Sequence, residues 1–491
     1  MAFLGIDAGT TACKTAVLCE DGSLAAVSRK EYEVRRPRPG YAELMPDEVW
    51  DAVRFCVRET VSASPEKIEA LSVSSQGEGF VALDGSFRPV SPIIVSFDAR
   101  AIEQTKFLER QFGKKYFFDK GGQILSSMGT LPKIVWMKQN FPANPSFYVC
   151  VGDYVLLRLG CPPVTDRSMA ARTMMYDIKK GGWNDGLLEA EGIRAGQLCE
   201  IRPSGEPAGV VPHEIAAELG LGDGVTAMVG GHDQPCALLG CGTSGTDEAA
   251  YSLGTTETLV CASDTFREGL YDCGLACYPH VLKHAFVTLP GNFTGGNMMQ
   301  WFRDQFGRFE MEEQSGTGKN AYDILQEEMD GKPSSLYVLP HFTVTGSPWN
   351  DSRSAGMVAG LGLGTTRGEF IRGLEEGVTY EILLNLKLLD RLGISVGRLL
   401  TVGGRTKSKK LLQLKADLLG IPLTVPGISE APCRGAALLA AMGSGVSADA
   451  FSLKNSETET FYPNPPVHEH YLRCFEKYRR LYPAVKEILK D

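Results

Sequence analysis

The chain has 491 residues, 43% hydrophobic and 22% charged, which exceeds one ordinary hydrophobic core and reads as two globular domains with a cleft between them. Its net charge of −9 argues against nucleic acid as a partner, because affinity for that polyanion comes from clustered Lys and Arg, but an anionic nucleotide can still be held by backbone N–H groups. No apolar run approaches the roughly 20 residues that span a bilayer, so no membrane partner is expected, and thirteen scattered cysteines read as reduced thiols rather than a disulfide framework.

Residues 1–7 lack a basic region followed by an apolar stretch and a cleavage site, so they read as a first strand and the protein as cytoplasmic. Strands are predicted over 3–6, 14–18 and 24–27, which makes Asp7-Ala8-Gly9-Thr10-Thr11 a hairpin connection. A helix over 46–61 follows from Val49, Trp50, Val53, Cys56 and Val57 at helical spacing after a Pro-Asp-Glu start. Strands over 68–73 and 92–95 end in the polar loops Ser75-Gln76-Gly77-Glu78-Gly79 and Asp98-Ala99-Arg100. Gln76, Glu78, Asp98 and Arg100 there suit several hydroxyls of a polyol, although ordinary solvated loops have the same polarity. Further on, an apolar run leads into Gly230-Gly231-His232-Asp233-Gln234 and a helix over 234–239. Strands over 249–253 and 257–260 flank Gly254-Thr255-Thr256, Ser408 caps a helix that runs to Gly420, and 468–489 is helical. The polar stretch 243–246 sets the expected domains at 1–245 and 246–450, with a helical tail over 451–491.

Two Gly-Thr-Thr turns with matching strand flanks predict a duplicated α/β architecture, and Val229-Gly230-Gly231 before Asp233 is matched to Val402-Gly403-Gly404 before Arg405. A third copy, Gly364-Thr365-Thr366, lacks those flanks. Glycine lets the backbone approach a phosphate, and the threonines Thr10, Thr11, Thr255 and Thr256 supply neutral donors where a Walker loop would use lysine. The single Gly-x-Gly-x-x-Gly match, 240–245, follows a helix rather than a strand, so it does not fit a dinucleotide site. Cys273, Cys277, His280 and His284 have a middle gap too short for a zinc finger. Asp233, between two loops suited to a polyphosphate, can take the proton of a hydroxyl as its oxygen attacks phosphorus, and Asp7 can hold Mg²⁺ through water. Phosphoryl transfer to a hydroxyl is the chemistry these residues imply.

With those residues in view, the chain resembles the FGGY family of carbohydrate kinases. Met128 through Asn140 is similar to the first family signature and Gly356 through Glu376 to the second, where Gly373 departs from the usual small Ala or Ser. The resemblance implies the two-domain α/β fold of actin, hexokinase and the heat-shock-protein ATPases, ribonuclease H-like in each half, with an interdomain cleft. It implies ATP and Mg²⁺ as cofactors, Asp233 as catalytic base, and Asp7 and Asp233 at the metal. Gly9, Thr10, Thr11 and Lys14 fall to the phosphates, and Gly254, Thr255, Thr256, Gly296, Gln300, Gly403, Gly404 and Ser408 to the nucleotide. Gln76, Glu78, Asp98, Arg100 and Gln234 fall to the sugar. Where xylulose kinases carry Met-His and glycerol kinases Arg-Glu, this chain has Gly77-Glu78, keeping the glutamate without the arginine. The expected substrate is a small sugar or polyol, foremost a pentulose such as xylulose. A glycerol- or erythritol-type polyol kinase and a non-kinase nucleotide-binding regulator of the same fold are the alternatives, and a homodimer is the candidate assembly.

Overall fold

The computed structural model describes residues 1–141, 145–243, 245–343, 345–351, 353–447 and 458–488. Ser244 of the expected domain connection and of the 240–245 motif, and the start of the expected tail, lie outside the described residues. So does Leu489.

The first sheet is built from β1 (Ala2–Ala8), β2 (Ala12–Cys19), β3 (Leu24–Glu31), β4 (Ile68–Ser75), β5 (Pro207–Val210) and β6 (Thr226–His232), in the spatial order β5-β6-β4-β1-β2-β3. Strands β1, β2 and β3 pair antiparallel, whereas β4 and β6 run parallel to β1. Every residue of β1 is buried, because α1 (Pro46–Ser62) covers one side of the sheet and another helix covers the other. The predicted stripe of α1 is the face it buries: Val49, Trp50, Val53, Cys56 and Val57 all lie in the core.

The second sheet repeats the plan. Its strands are β7 (Glu248–Leu253), β8 (Glu257–Ser263), β9 (Tyr278–Pro279), β10 (Phe286–Thr288), β11 (Gly291–Asn292), β12 (Arg398–Val402), β13 (Leu423–Val425) and β14 (Glu459–Phe461). The order is β9-β10-β8-β7-β12-β13-β14, with β11 pairing β8. Strands β7 and β8 form the second antiparallel hairpin around Gly254-Thr255-Thr256, and β12 and β13 run parallel to β7. The duplication read from the two hairpins is therefore a duplication of whole sheets.

The second proposed correspondence fails on topology. Strand β12, which carries Val402, is the first parallel neighbour of β7, so its counterpart is β4 and the loop at Gln76. Strand β6, which leads to Asp233, is the second parallel neighbour and is matched by β13. A Val-Gly-Gly tripeptide marks a parallel strand ending close to other backbone, and both positions meet that requirement. The third Gly-Thr-Thr is no hairpin, since Thr366 caps α2 (Arg367–Arg391) by accepting from the Glu369 N–H.

The expected divisions at 450 and 451 also change. Helix α3 (Ala431–Gly443), numbered in the second half, packs on β1, β4 and α4 (Asp233–Gly240) of the first. That contact is backbone to backbone: a Cβ on Gly435 would lie 1.8 Å from the Cys236 carbonyl oxygen, and one on Gly240 would lie 1.9 Å from that of Ala431. The C-terminal segment is no separate tail, because β14 extends the second sheet and the helix Pro465–Tyr478 buries Tyr471, Phe475 and Tyr478. Helicity there breaks after Tyr478 and resumes over Leu481–Val485. All thirteen cysteines are free thiols, and among the described residues no helix is long and apolar enough to cross a membrane.

Candidate active site

Strand β6 delivers His232 to the start of α4, and Asp233 is the first residue of that helix. Burial pushes its carboxyl up to about 6, against the downward pull of a hydrogen bond from Gln234 and the charge of Arg172. About a quarter of the side chain, 23%, is exposed, and Oδ1 has no hydrogen-bond partner. His232 Nε2 lies 3.2 Å from that oxygen without hydrogen-bond alignment. The imidazole is neutral, because burial and then the Arg172 charge hold its pKa well below the usual range. Asp7, at the end of β1, accepts from Ser74 Oγ at 3.0 Å and is pushed up to about 7, first by burial and then by the charge of Asp233. Two acids that repel each other in this way form a donor set suited to a divalent cation. Mg²⁺ needs only one or two carboxylates when phosphates and water supply the rest, so the residues fit it, although among the described residues no three or more acids, histidines or cysteines gather around one point.

The first hairpin turn closes with the Gly9 N–H donating to the Ala12 carbonyl at 3.1 Å. Gln76 braces it. The side-chain amide donates to the Gly9 carbonyl at 3.2 Å, and Thr10 Oγ1 donates to Gln76 Oε1 at 3.4 Å, so this buried glutamine supports the hairpin turn from within. Thr11 is exposed. Lys14 reaches Glu430, just before α3, at 2.7 Å, and this partner raises its pKa although burial opposes it. Across the cleft the Gly254 N–H closes the second turn on the Thr256 carbonyl at 3.1 Å. The helix Gly296–Phe306 begins on that turn, the Gly296 N–H donating to the Gly254 carbonyl at 3.0 Å. Gly254, Thr255, Gly296, Gln300, Gly404 and Ser408 line one cavity of about 690 Å³, whereas Thr256 lines a neighbouring one. Arg405 lines the same 690 Å³ cavity, paired with Glu257 at 2.9 Å and with Glu375. Glu257 in turn holds Lys415 at 2.9 Å, and these two cations keep its carboxyl below the usual range despite complete burial.

Glu78 lies in a backbone conformation with φ of 55°, and the first signature explains how it is held there. Thr130 Oγ1 and Lys133 Nζ, on the helix Thr130–Asn140, donate to the Glu78 carbonyl at 3.0 and 3.1 Å. Burial pulls Lys133 down to about 7. The Glu78 carboxylate pairs with Arg172, at the end of the short helix Arg167–Arg172, whose Nη1 donates to Gln123 Oε1 at 2.8 Å. Gly77 makes that possible, because a Cβ there would lie 2.8 Å from His232 Nε2 and 3.3 Å from Arg172 Cγ. The arginine missing beside Glu78 in sequence is thus present in space, from a segment 94 residues away.

Asp98 and Arg100 do not join this group. Asp98 accepts from the Ala42 N–H and from Arg100, whose guanidinium also bonds Glu43 and lies 4.0 Å from the Tyr41 ring centre. With side chains 0% and 3% exposed and every strong partner internal, the pair fastens the loop of residues 98–100. The expectation that they bind a hydroxyl is corrected on that ground.

The model of the FGGY family of carbohydrate kinases, N-terminal domain, matches residues 2–240, and its C-terminal counterpart matches 249–444. The chain belongs to the FGGY family. A xylulose kinase of Bacillus subtilis (strain 168) is 26% identical over 99% of this chain and 97% of its own length. A glycerol kinase of Saccharolobus islandicus (strain M.14.25 / Kamchatka #1) is 28% identical over 99% and 96%. The crystal structure of a xyloylose kinase from Brucella ovis superposes with a TM-score of 0.89 at 25% identity, covering 99% of this chain and 100% of that one. The protein is therefore an FGGY carbohydrate kinase with the two-domain α/β fold, acting with ATP on a sugar or polyol, and the regulator alternative falls away.

Sequence reasoning missed Arg172, Gln123 and Glu430, the partners of Glu78, Arg172 and Lys14. Nothing local marks them: Arg172 sits in Met169-Ala170-Ala171-Arg172, an ordinary helix surface by pattern, and gains its role only because Gly77 leaves room beside Glu78.

Proposed function

We propose that this FGGY kinase transfers the γ-phosphoryl group of ATP to a hydroxyl of a pentulose such as xylulose. Asp233 is the base. Its carboxylate, pushed up to about 6 and free at Oδ1, takes the hydroxyl proton as the substrate oxygen bonds to the γ-phosphorus and the bond to the β-phosphate oxygen breaks, releasing ADP. That unpartnered oxygen, on an acid near enough to Asp7 beside the first Gly-Thr-Thr hairpin for its charge to raise Asp7, is the observation that carries the reading. Gly9, Thr10, Thr11 and Lys14 hold the phosphates, Lys14 exchanging Glu430 for phosphate oxygen. Gly254, Thr255, Gly296, Gln300, Gly404 and Ser408, which line one cavity, hold the nucleotide together with Gly403 beside them in the chain, and Glu78, which lines the neighbouring cleft, faces the sugar together with Gln234, next to the base. Asp7 and Asp233 would hold Mg²⁺, which offsets phosphate charge when bound.

Similarity to a xylulose kinase over nearly the whole chain supports a pentulose, and the Glu78–Arg172 pair favours a polyol of the glycerol class as the second reading. ADP release measured across pentuloses, hexuloses, pentitols, glycerol and aldonates decides between them. The pentulose should give the highest kcat/KM, and glycerol or a pentitol above it would replace this reading with the second.

A further inference from the structure

The two halves line a further cavity, of about 230 Å³, that the transfer chemistry does not use. The first half contributes Arg167, Tyr176 and Ser204, and the second contributes Asp264, His280 and Lys283. Arg167 opens the short helix that Arg172 closes, so this cavity lies at one end of that helix and the Glu78 pair at the other. The helix end itself offers no donor, because Asp166 caps it by accepting from the Ser168 and Met169 N–H groups. Side chains make the site.

Two of them are buried and hold out an unpartnered donor. His280, 5% exposed, accepts the Leu282 N–H at Nδ1 at 2.9 Å, so its proton sits on Nε2, and burial keeps the ring neutral by pulling its pKa down to about 4. Tyr176 is 2% exposed, and neither its hydroxyl nor His280 Nε2 has a hydrogen-bond partner among the described residues. Neither atom is sealed off by protein, so the surface these residues keep includes their polar ends. Arg167 and Lys283 are exposed and have no ion-pair partner among the described residues, and the charge of Arg167 acts on Tyr176. Against these donors stand one acid, Asp264, which already holds Arg267 at 3.1 Å, and the Ser204 hydroxyl, whose proton goes to Asp166 at 2.9 Å. The lining therefore suits an anion rich in acceptors. A carboxylate brings two oxygens, whereas a phosphate group brings three, and four donor groups from two walls match the larger number.

We infer that this cavity is a second, non-catalytic site for a phosphate group, free or on a small phosphate monoester, and that filling it slows transfer. The route to the base is short. His280 follows β9, where the Tyr278 hydroxyl lies 2.9 Å from His232 Nδ1 and the Tyr278 ring carries Arg172 at 5.1 Å. The next residue, Val281, lies against β6, since a Cβ on Gly231 would be 2.4 Å from Val281 Cγ1. An anion that draws Lys283 toward Arg167 moves Val281 onto the strand that delivers His232 and Asp233, and no slack there absorbs the shift. The site does not depend on which sugar is phosphorylated.

The test titrates inorganic phosphate, glycerol 3-phosphate, ribose 5-phosphate and, as a carboxylate control, glycerate into the full chain by calorimetry with ADP present, and follows ADP release at saturating ATP and pentulose. The wild type should bind a phosphate compound and lose about 5-fold or more in kcat when saturated with it. The double variant Arg167→Gln/Lys283→Gln should bind about 100-fold more weakly and Tyr176→Phe about 10-fold more weakly, each with the basal kcat of the wild type. Free phosphate against the two esters identifies the source of the group. Binding and inhibition unchanged in both variants would put the anion in the catalytic cleft and overturn the site. Glycerate binding as tightly as glycerol 3-phosphate would overturn the phosphate assignment, and binding without loss of kcat would overturn the route through Tyr278 and Val281. A wild type that binds none of the three phosphate compounds overturns the whole inference. Calorimetry needs no turnover, so failure of the kinase reading would leave the binding result intact.

Discussion

The same strand plan ends in opposite chemistry in the two halves. In the first, the ends of two parallel strands deliver Asp7, in β1, and Asp233, the first residue of α4, two acids raised by burial and, for Asp7, by its neighbour, with Asp233 Oδ1 unpartnered. In the second, the loop beyond β12 holds Arg405, whose guanidinium is committed to Glu257 and Glu375 and whose pKa is raised by them despite burial. One end stores unmet polarity for a reacting group. The other pairs its charges with one another. Reactivity and rigidity have thus been divided between two copies of one sheet.

The sharpest way to break this contrast is to unpair the second half. Glu257→Leu leaves Lys415 and Arg405 as buried cations without their shared carboxylate, a change that costs about 3 to 5 kcal/mol. Thermal and denaturant unfolding should show a loss of that size. A variant as stable as the wild type would mean that the second half is not held by this network. Next comes the contact between halves: Gly435→Ala sets a Cβ 1.8 Å from the Cys236 carbonyl, and shifting backbone to relieve such overpacking costs about 1 to 3 kcal/mol. Unchanged stability there would contradict backbone contact between α3 and α4.

Both hairpins and the helix of residues 46–61 were legible because periodicity and turn chemistry are local, and the junction of strand and helix at Asp233 was legible because an apolar run, two glycines and an acid stand together in sequence. The sheet equivalence was not. Val-Gly-Gly occurs wherever a parallel strand ends near other backbone, and only pairing distinguishes first neighbour from second. Asp98 and Arg100 looked like sugar ligands by type, but Glu43, Tyr41 and the Ala42 N–H, which consume them, come from a distant segment. The helix of residues 431–443 crosses to the other sheet through a packing of small residues that hydropathy does not register.

Smaller effects sharpen the contrast from the first half. Asp233 acts as a base only when ionised, so kcat/KM should fall as pH drops through about 6. Arg172 holds that carboxyl down, so Arg172→Met should move the acid limb upward, and a limb that stays in place would remove Arg172 from the electrostatics of the base. Asp7 has a folded pKa of about 7 against an ordinary 3.8, so the fold favours its protonated form. Its contribution to stability is present at low pH and is lost as pH rises toward 7. The thermal midpoint of the free protein should fall less steeply over that interval in Asp7→Asn than in the wild type, and identical slopes would contradict the burial of that charge.

The most direct measurement is single-turnover transfer from γ-labelled ATP to a pentulose by Asp233→Asn, with ATP binding measured on the same preparation. The amide keeps the shape of the carboxylate but cannot take the proton, so transfer should slow by about 10²- to 10⁴-fold while nucleotide affinity stays within twofold (roughly 0.4 kcal/mol) of wild type. Transfer at a near-normal rate would show that the unpartnered oxygen at the start of α4 is not the base.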